Sequence, residues 1–328
     1  MKRLSRPLII IALGLLTLLL LLKLGNIDIS MDTLRQINPL YLTAAIAIHY
    51  SGFAMRGWRW QKLLAGLGHS LGYVYATTLL LTGWFVSALI PARLGDVARA
   101  YMLRRDHRIS MAQGLGSIAT ERTFDILSIL ILAASAATFA LADRTPPWVW
   151  KSIGGGALLL GILAGILLLS PQLEHFFLNL LPWSIYKKVI RFGFELLNSI
   201  RQVGQNPKLL LLVTAQSLYI WLCDIFLMAF VFLSIGAKVP FSISAFTSMV
   251  VDLAAAVPII PGALGQVEGT AIGVLSLFQT PTGQSSLMVL LNRFISFWTF
   301  ILVSGAVTYL FGFSQALNPD SLKAEASD

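Results

Sequence analysis

The sequence predicts an all-α polytopic membrane protein that consists of two inverted repeats. Hydrophobic residues make up 56% of the 328 residues and charged residues only 12%, whereas about a quarter of a soluble domain is charged. The apolar runs are long and unbroken, which favours membrane-spanning helices over the short alternating strands of a membrane barrel. The third observation is an internal repeat, because the Pro, Leu, Gly and Val of the stretch at 91–97 recur 170 residues later at 261–267.

One transmembrane domain over 1–328 is predicted, with about six full spans and two re-entrant helical hairpins. Repeat 1 occupies about 7–142, with a hairpin at 72–105 and spans at 7–24, 39–56 and 111–140. Repeat 2 occupies about 152–170 and 208–313, with a hairpin at 242–279 and spans at 152–170, 208–235 and 286–312. An amphipathic connector at 171–207 is expected on the cytoplasmic surface, and a tail at 314–328 is expected to be disordered.

Prolines and glycines break both hairpins, and the distribution of charge predicts how the hairpins enter the membrane. The breaks fall at Pro91, Gly95, Pro261, Gly262 and Gly265. Two crossing segments would leave 10 lysines and arginines in the cytoplasm and 12 outside, whereas two re-entrant hairpins leave 17 inside and 5 outside. Because these residues collect in cytoplasmic loops, the hairpins are predicted to be re-entrant and to enter from opposite sides, with both termini in the cytoplasm.

Charged residues inside the predicted spans and hairpins form two candidate clusters. The first comprises Arg93, Asp96, Arg99, Glu121, Arg122 and Asp125. The second comprises Glu268 and Arg293, together with Asp224 and Asp252. A charged side chain in the hydrocarbon core costs roughly 2.5–3.5 kcal/mol, so each of these residues needs a partner or a function.

Two interpretations of the arginines stay open. In the first, Arg122 pairs with Asp96 and only fastens the first hairpin to the span that follows. Arg293 pairs with Glu268 in the same way in the second repeat. In the second interpretation, Arg93, Arg122 and Arg293 use their planar guanidinium groups to bind an anionic head group such as a phosphate.

Other kinds of chemistry find little support in the sequence. The net charge of +9 indicates basic cytoplasmic loops rather than a nucleic-acid partner. One cysteine and four scattered histidines give no ligand spacing for a metal, and no nucleotide-binding motif predicts a cofactor.

His49 is interpreted as a hydrogen-bonded core histidine rather than a proton carrier. The tryptophans and basic residues at 56–62 predict a cytoplasmic membrane interface.

Four motifs resemble the signatures of the flippase-like membrane family. They are Pro-Ala-Arg-Leu-Gly-Asp-Val-Ala-Arg at 91–99, Glu-Arg-Thr-Phe-Asp at 121–125, Pro-Gly-Ala-Leu-Gly-Gln-Val-Glu at 261–268, and Asn292-Arg293 followed by Phe297-Trp298. This family includes the transmembrane region of lysylphosphatidylglycerol synthase, the bacterial multiple peptide resistance factor. The likeness covers nearly the whole chain. The chain departs from the pattern at Ala263, where a second glycine is common, and at Asn292, where an aromatic residue or histidine is common.

The resemblance implies a multi-pass protein of the bacterial inner membrane that moves phospholipids or lipid-linked glycans between leaflets. The sequence ends at Asp328 without the aminoacyl-transferase domain of the full synthase, so no lysyl transfer and no catalysis are expected. The leading hypothesis is a translocase of a phospholipid or a lipid-linked anionic substrate. One rival is an accessory or regulatory protein that binds a lipid or partners a lipid-modifying enzyme or glycosyltransferase. The other rival is an intramembrane lipid-modifying enzyme.

Overall fold

The computed structural model describes residues 23, 37–89, 94–141, 147–180, 183–256 and 261–311. Within these ranges the chain is almost entirely helical. The principal helices are α1 (Pro39–Gly66), α2 (Tyr73–Leu89), α3 (Leu94–His107), α4 (Met111–Leu141), α5 (Pro147–Leu180), α6 (Ser184–Gln205), α7 (Pro207–Ser234), α8 (Phe241–Ala255), α9 (Gln266–Leu277), α10 (Thr282–Arg293) and α11 (Phe300–Leu310). A 3₁₀ turn at Pro261–Ala263 precedes α9, and a π-helical segment at Phe294–Thr299 joins α10 to α11. The predicted tail at 314–328 and the predicted first span at 7–24, apart from Lys23, lie outside the described residues.

Among the described residues, three helical stretches are long and apolar enough to cross a membrane, which confirms a helical membrane protein. They are Met111–Ala140, Pro207–Ser234 and Thr282–Leu310, of 28 to 30 residues each, where about 20 residues suffice. All three correspond to predicted spans. The apolar helices α2 and α8 are shorter, with 17 and 15 residues.

Helices α1 and α7 form the most extensive helix pair of the described fold. Each begins with an Asn-Pro pair, in which the asparagine side chain caps the first turn and the proline stands where no intrahelical hydrogen bond is lost. The backbone N–H of Asn38 donates to the carbonyl oxygen of Ser234 at 2.7 Å. This bond ties the start of α1 to the end of α7, so the two helices run antiparallel.

Two helix pairs occupy the predicted hairpins, since α2 packs along α3 and α8 packs along α9. The predicted break at Pro91 lies outside the described residues, whereas Gly95 lies in the first turn of α3. A Cβ atom on Gly95 would collide with the carbonyl oxygen of Gly83 on α2. In the second hairpin, Gly262 and Gly265 have φ angles of 67° and 79°, which L side chains rarely adopt. Glycine therefore permits close helix packing in the first hairpin and an unusual backbone conformation in the second.

Two helices extend beyond their predicted ends. Helix α1 continues past 56 to Gly66 and buries much of that half against other helices. Helix α5 likewise continues past 170, through Pro171 to Leu180. Membrane helices tolerate proline where neighbouring groups satisfy the freed backbone.

Of the amphipathic connector predicted at 171–207, only the part in α6 forms a separate helix. This helix packs against α4 and α5 and buries Phe194, Ser199 and Val203. On another face, Ile185 and Val189 are 78% and 63% exposed. An exposed apolar face on a helix that also carries basic residues is typical of a helix at the membrane surface.

Candidate functional site

Arg59 of α1 lies at the centre of a buried network of charges. Its side chain is fully buried, and its Nη1 donates to Asp125 Oδ1 at 2.7 Å and to Ser217 Oγ at 2.8 Å. Its Nη2 lies 3.4 Å from Glu121 Oε1. Glu121 and Asp125 are one turn apart on α4 and share a face, which is why one guanidinium reaches both. The indole N–H of Trp221 also donates to Asp125 Oδ1 at 3.1 Å.

Arg99 of α3 supplies a second guanidinium to the same carboxylate. Its Nη2 donates to Glu121 Oε2 at 2.9 Å, and its Nη1 lies 3.6 Å from Asp96 Oδ1. The guanidinium stacks over Trp60, 3.9 Å from the ring centroid. Glu121 is thus fully buried between two arginines. Such a pair is stabilising only if both partners stay, because removing one leaves a buried charge uncompensated.

Arg122 differs from both of these arginines. Its side chain is 28% exposed, and its nearest carboxylate oxygens are Asp96 Oδ1 at 3.5 Å and Asp125 Oδ2 at 3.6 Å. Charge-assisted hydrogen bonds are shorter, at about 2.7–2.9 Å. Its Nε is buried and has no hydrogen-bond partner among the described residues. The guanidinium carbon lies 5.6 Å from the ring centroid of Trp84. Arg122 is therefore held by longer and weaker contacts than Arg59 and Arg99.

Arg293 of α10 instead fastens the turn of the second hairpin. Its Nε donates to Glu268 Oε1 at 2.6 Å, and its Nη2 donates to the carbonyl oxygen of Gly262 at 2.8 Å. The other oxygen of Glu268 accepts the backbone N–H of Gly265 at 2.7 Å. The guanidinium also packs over Phe297, 4.5 Å from its centroid. These contacts occupy the carboxylate on both oxygens and hold the non-helical turn in place.

Arg56 of α1 holds the carboxylate of Asp224 on α7. Its Nη2 donates to Asp224 Oδ2 at 3.0 Å, so Asp224 does not join Glu268 and Arg293 as predicted. His49 is 5% exposed, and neither ring nitrogen has a hydrogen-bond partner in the described part of the chain. His49 is therefore a buried core residue, as interpreted, but no hydrogen bond to its ring is found in the described part of the chain. Asp252 of α8 is near this group and accepts from Ser248 Oγ at 3.4 Å.

The first predicted cluster is thus largely assembled, and the second is divided. The residues that come together are Asp96, Arg99, Glu121, Arg122 and Asp125. Arg93 lies outside the described residues. In the second cluster Glu268 pairs with Arg293, whereas Asp224 and Asp252 belong to the surroundings of Arg56.

Arg56 and Arg59 belong to the charged networks, although the sequence pattern did not indicate them as site residues. The tryptophans around them predicted a membrane interface, a pattern that does not reveal that Arg56 is 4% exposed and that Arg59 and Trp60 are fully buried. Helical spacing gives the signal that was available. Arg56 and Arg59 are three residues apart, and His49 and Arg56 are two turns apart, so all three lie on related faces of one helix.

The chemistry open to the site follows from its side chains. Among the described residues, no group of three or more His, Cys, Asp or Glu side chains is placed to hold a metal ion. A guanidinium with long ion pairs and partial exposure can exchange one anionic partner for another.

A family model for the transmembrane region of lysylphosphatidylglycerol synthase matches residues 8–304. The chain belongs to this family. The match confirms the resemblance that the four motifs indicated and contains every residue of the candidate site. No solved structure matches the chain.

Several proteins that are similar to this chain come from archaea. A UPF0104 membrane protein of Methanocaldococcus jannaschii is 27% identical over 69% of this chain and 94% of its own length. Another, of Methanothermobacter thermautotrophicus, is 22% identical over 96% of this chain and 97% of its own length. The glycosyltransferase AglD of Haloferax volcanii is 27% identical over 81% of this chain, which corresponds to 48% of AglD.

Proposed function

We propose that this protein moves an anionic phospholipid or lipid-linked substrate between the leaflets of a membrane, with Arg122 as the residue that binds the head group and without catalysis. The observation that carries the proposal is the partial exposure of Arg122 together with its long ion pairs. A head-group phosphate could replace Asp96 or Asp125 as the partner of Arg122. The guanidinium would then stay paired throughout, which lowers the desolvation cost of moving the anion.

Four other arginines of the charged clusters have structural partners at closer range. Arg56, Arg59, Arg99 and Arg293 each donate a hydrogen bond of 3.0 Å or less to a carboxylate. We therefore assign head-group binding to Arg122 and a structural role in holding the second hairpin to Arg293. The two arginines do not have equal roles in this proposal.

We also propose that the two hairpins are re-entrant and enter from opposite faces, as inverted repeats. At 1.5 Å per residue, α2 and α8 are about 25 Å and about 22 Å long, which is short of the roughly 30 Å of a hydrocarbon core. The non-helical turn around Gly262 and Gly265 is tolerated at membrane depth because Arg293 and Glu268 bind its backbone. The charge distribution supports both termini in the cytoplasm, and the bacterial inner membrane is proposed from the resemblance to the synthase alone.

Lipid exchange in proteoliposomes tests the translocation. Fluorescent phosphatidylglycerol and phosphatidylcholine are followed by quenching of the outer leaflet, with folded protein quantified for each sample. We expect exchange of the anionic lipid to exceed that of the zwitterionic lipid. Arg122→Lys keeps the charge but loses the two-pronged geometry, so exchange of phosphatidylglycerol should fall several-fold. Equal exchange of both lipids by wild type, or full exchange by Arg122→Lys, would contradict the proposal.

A second candidate function is that of an accessory membrane domain for glycosyl transfer. The likeness to glycosyltransferase AglD favours it, because the matched region covers about half of that protein. In this case the protein would bind a lipid-linked sugar and present it to a partner enzyme. Binding of an isoprenoid phosphate without any leaflet exchange would favour this function over translocation. Chemical conversion of the lipid by the purified protein would favour an intramembrane enzyme over both.

A further inference from the structure

One face of the N-terminal half of α6 is apolar and exposed. Ile185, Val189 and Phe192 are spaced by four and three residues, so they share this face, and all three side chains are exposed. Trp183, directly before the helix, is exposed as well, and tryptophan is enriched where protein meets the membrane–water interface. Exposed apolar side chains in this spacing are typical of a helix whose face rests in lipid.

The adjacent face of the same half of α6 is polar and basic. Ser184, Lys188 and Arg191 each precede one of the apolar residues by one position, which turns their face by about 100° around the helix axis. An open cavity of about 590 Å³ lies along this face and is lined by Ser184, Lys187, Lys188, Arg191, Phe192 and Glu195. Phe192 belongs to both sets, so the cavity borders the apolar face.

The cavity has an excess of positive charge. Its three cations are accompanied by one carboxylate, Glu195, whose Oε1 already accepts a hydrogen bond from Ser110 Oγ at 2.8 Å. Within the described part of the chain, none of the three cations forms an ion pair with a carboxylate. An excess of cations next to an exposed apolar face is complementary to a molecule that combines an anionic group with hydrocarbon chains.

We propose that this cavity binds the phosphate of an anionic phospholipid from the leaflet that α6 touches, while the acyl chains of that lipid lie against Ile185 and Val189. The planar guanidinium of Arg191 suits two phosphate oxygens at once. Lys187 and Lys188 add positive charge and can extend their aliphatic stems along the apolar surface.

This lipid site is separate from the charged network around Arg122. None of the residues that line the cavity belongs to that network, so the site does not depend on whether the protein moves lipid between leaflets. An acidic protein segment is the competing occupant of a basic cavity. The neighbouring exposed apolar face favours a lipid, because a lipid satisfies both faces at the same time.

Quenching by spin-labelled lipids tests this site without any assay of transport. Val189→Cys, in a background where Cys223 is replaced by alanine, carries a bimane fluorophore in phosphatidylcholine nanodiscs with a small fraction of nitroxide-labelled lipid. We expect labelled phosphatidylglycerol and labelled phosphatidylcholine both to quench it, because this face lies in lipid. Each basic residue near an anionic lipid strengthens binding by roughly fivefold. Phosphatidylglycerol should therefore reach half-maximal quenching at an at least about fivefold lower fraction.

Removing the cations tests the cavity itself. The variant that combines Lys187→Gln, Lys188→Gln and Arg191→Gln should lose the preference for phosphatidylglycerol but keep the quenching by phosphatidylcholine. The control combines three changes at exposed cations outside α6, Arg104→Gln, Lys208→Gln and Lys238→Gln. This control removes the same charge and should keep the preference, with folded protein quantified for each sample.

Each contrary outcome has a definite meaning. Equal quenching by the two lipids without the variants, an unchanged preference in the cavity variant, or an equal loss in the control would overturn the anionic site. Quenching by neither lipid would show that water or a protein partner covers this face. Loss of the preference with glycerol 3-phosphate at no more than the concentration of the lipid would show that a soluble phosphate compound is the occupant. Either of these last two results would overturn the assignment to a lipid.

Discussion

Arg59 and Arg122 show how similar residues take different tasks according to their partners. Arg59 is fully buried and bonded to Asp125 and Ser217 at 2.7 Å and 2.8 Å. Arg122 is partly exposed and has only ion pairs of 3.5 Å or more. Breaking the first arrangement is costly, because the loss of Arg59 leaves buried carboxylates without a partner. The second can be exchanged at low cost, which is what a transient ligand requires.

Replacing Arg59 by methionine should therefore destabilise the fold rather than specifically impair lipid binding. Loss of a partner from a buried ion pair costs about 3–5 kcal/mol, so Arg59→Met should lower thermal stability strongly in detergent. Adding Asp125→Asn should recover part of that loss, because the uncompensated charge is removed. Arg191→Met, at an exposed position on α6, is the matched control and should leave stability unchanged. A variant of Arg59 as stable as the control would contradict the buried network.

At the scale of elements, the two hairpins use glycine for different physical reasons. Gly95 has a helical conformation, but its α-carbon lies against the backbone of Gly83, so no side chain fits. Gly265 has open space around its α-carbon and a φ of 79°. The repeated sequence frame predicted that both glycines matter. It could not predict that one is required for packing and the other for backbone conformation, because that distinction depends on the partner helix.

Alanine substitutions should separate these two causes. Gly95→Ala should give the larger loss of folded protein, since the carbonyl oxygen of Gly83 cannot move away without displacing α2. Gly265→Ala should cost about 1–2 kcal/mol of backbone strain. Gly161→Ala, with nothing within 4 Å of the added methyl group, should be neutral or slightly stabilising. The measurement is thermal unfolding in detergent. Equal stability of the Gly95 and Gly161 variants would refute close packing of the first hairpin.

At the scale of the whole molecule, hydropathy and charge predicted the helical membrane class and most helix positions. They failed where tertiary burial overrides local pattern, as at Arg59 and Trp60, which resemble interface residues in sequence but lie in the core. They also predicted the pairs of Arg122 with Asp96 and of Arg293 with Glu268. The unequal exposure of the two arginines could not be predicted, because it depends on side chains from helices distant in sequence, such as Trp84 and Phe297.

The re-entrant arrangement predicts a definite pattern of accessibility. Single cysteines at the exposed positions Arg105, Gln202 and Thr282 are labelled with a membrane-impermeant reagent, in a background where Cys223 is replaced by alanine. The cysteines at 105 and 202 should react only from the cytoplasm, and the one at 282 only from outside. Labelling after lysis of the same cells gives the total reactivity of each cysteine and serves as the control. Labelling of residue 105 from outside would show that the first hairpin crosses the membrane.

The central claim is that Arg122 binds the head group of the moving lipid, and a double variant tests it most directly. Exchange of fluorescent phosphatidylglycerol is measured for Arg122→Ala and for Arg122→Ala combined with Asp96→Asn, per amount of folded protein in proteoliposomes. If Arg122 binds the lipid, both proteins should exchange it at least about tenfold more slowly than wild type, a loss of about 1.4 kcal/mol, although the second change restores stability. Recovery of exchange in the double variant would show that Arg122 serves only to neutralise Asp96.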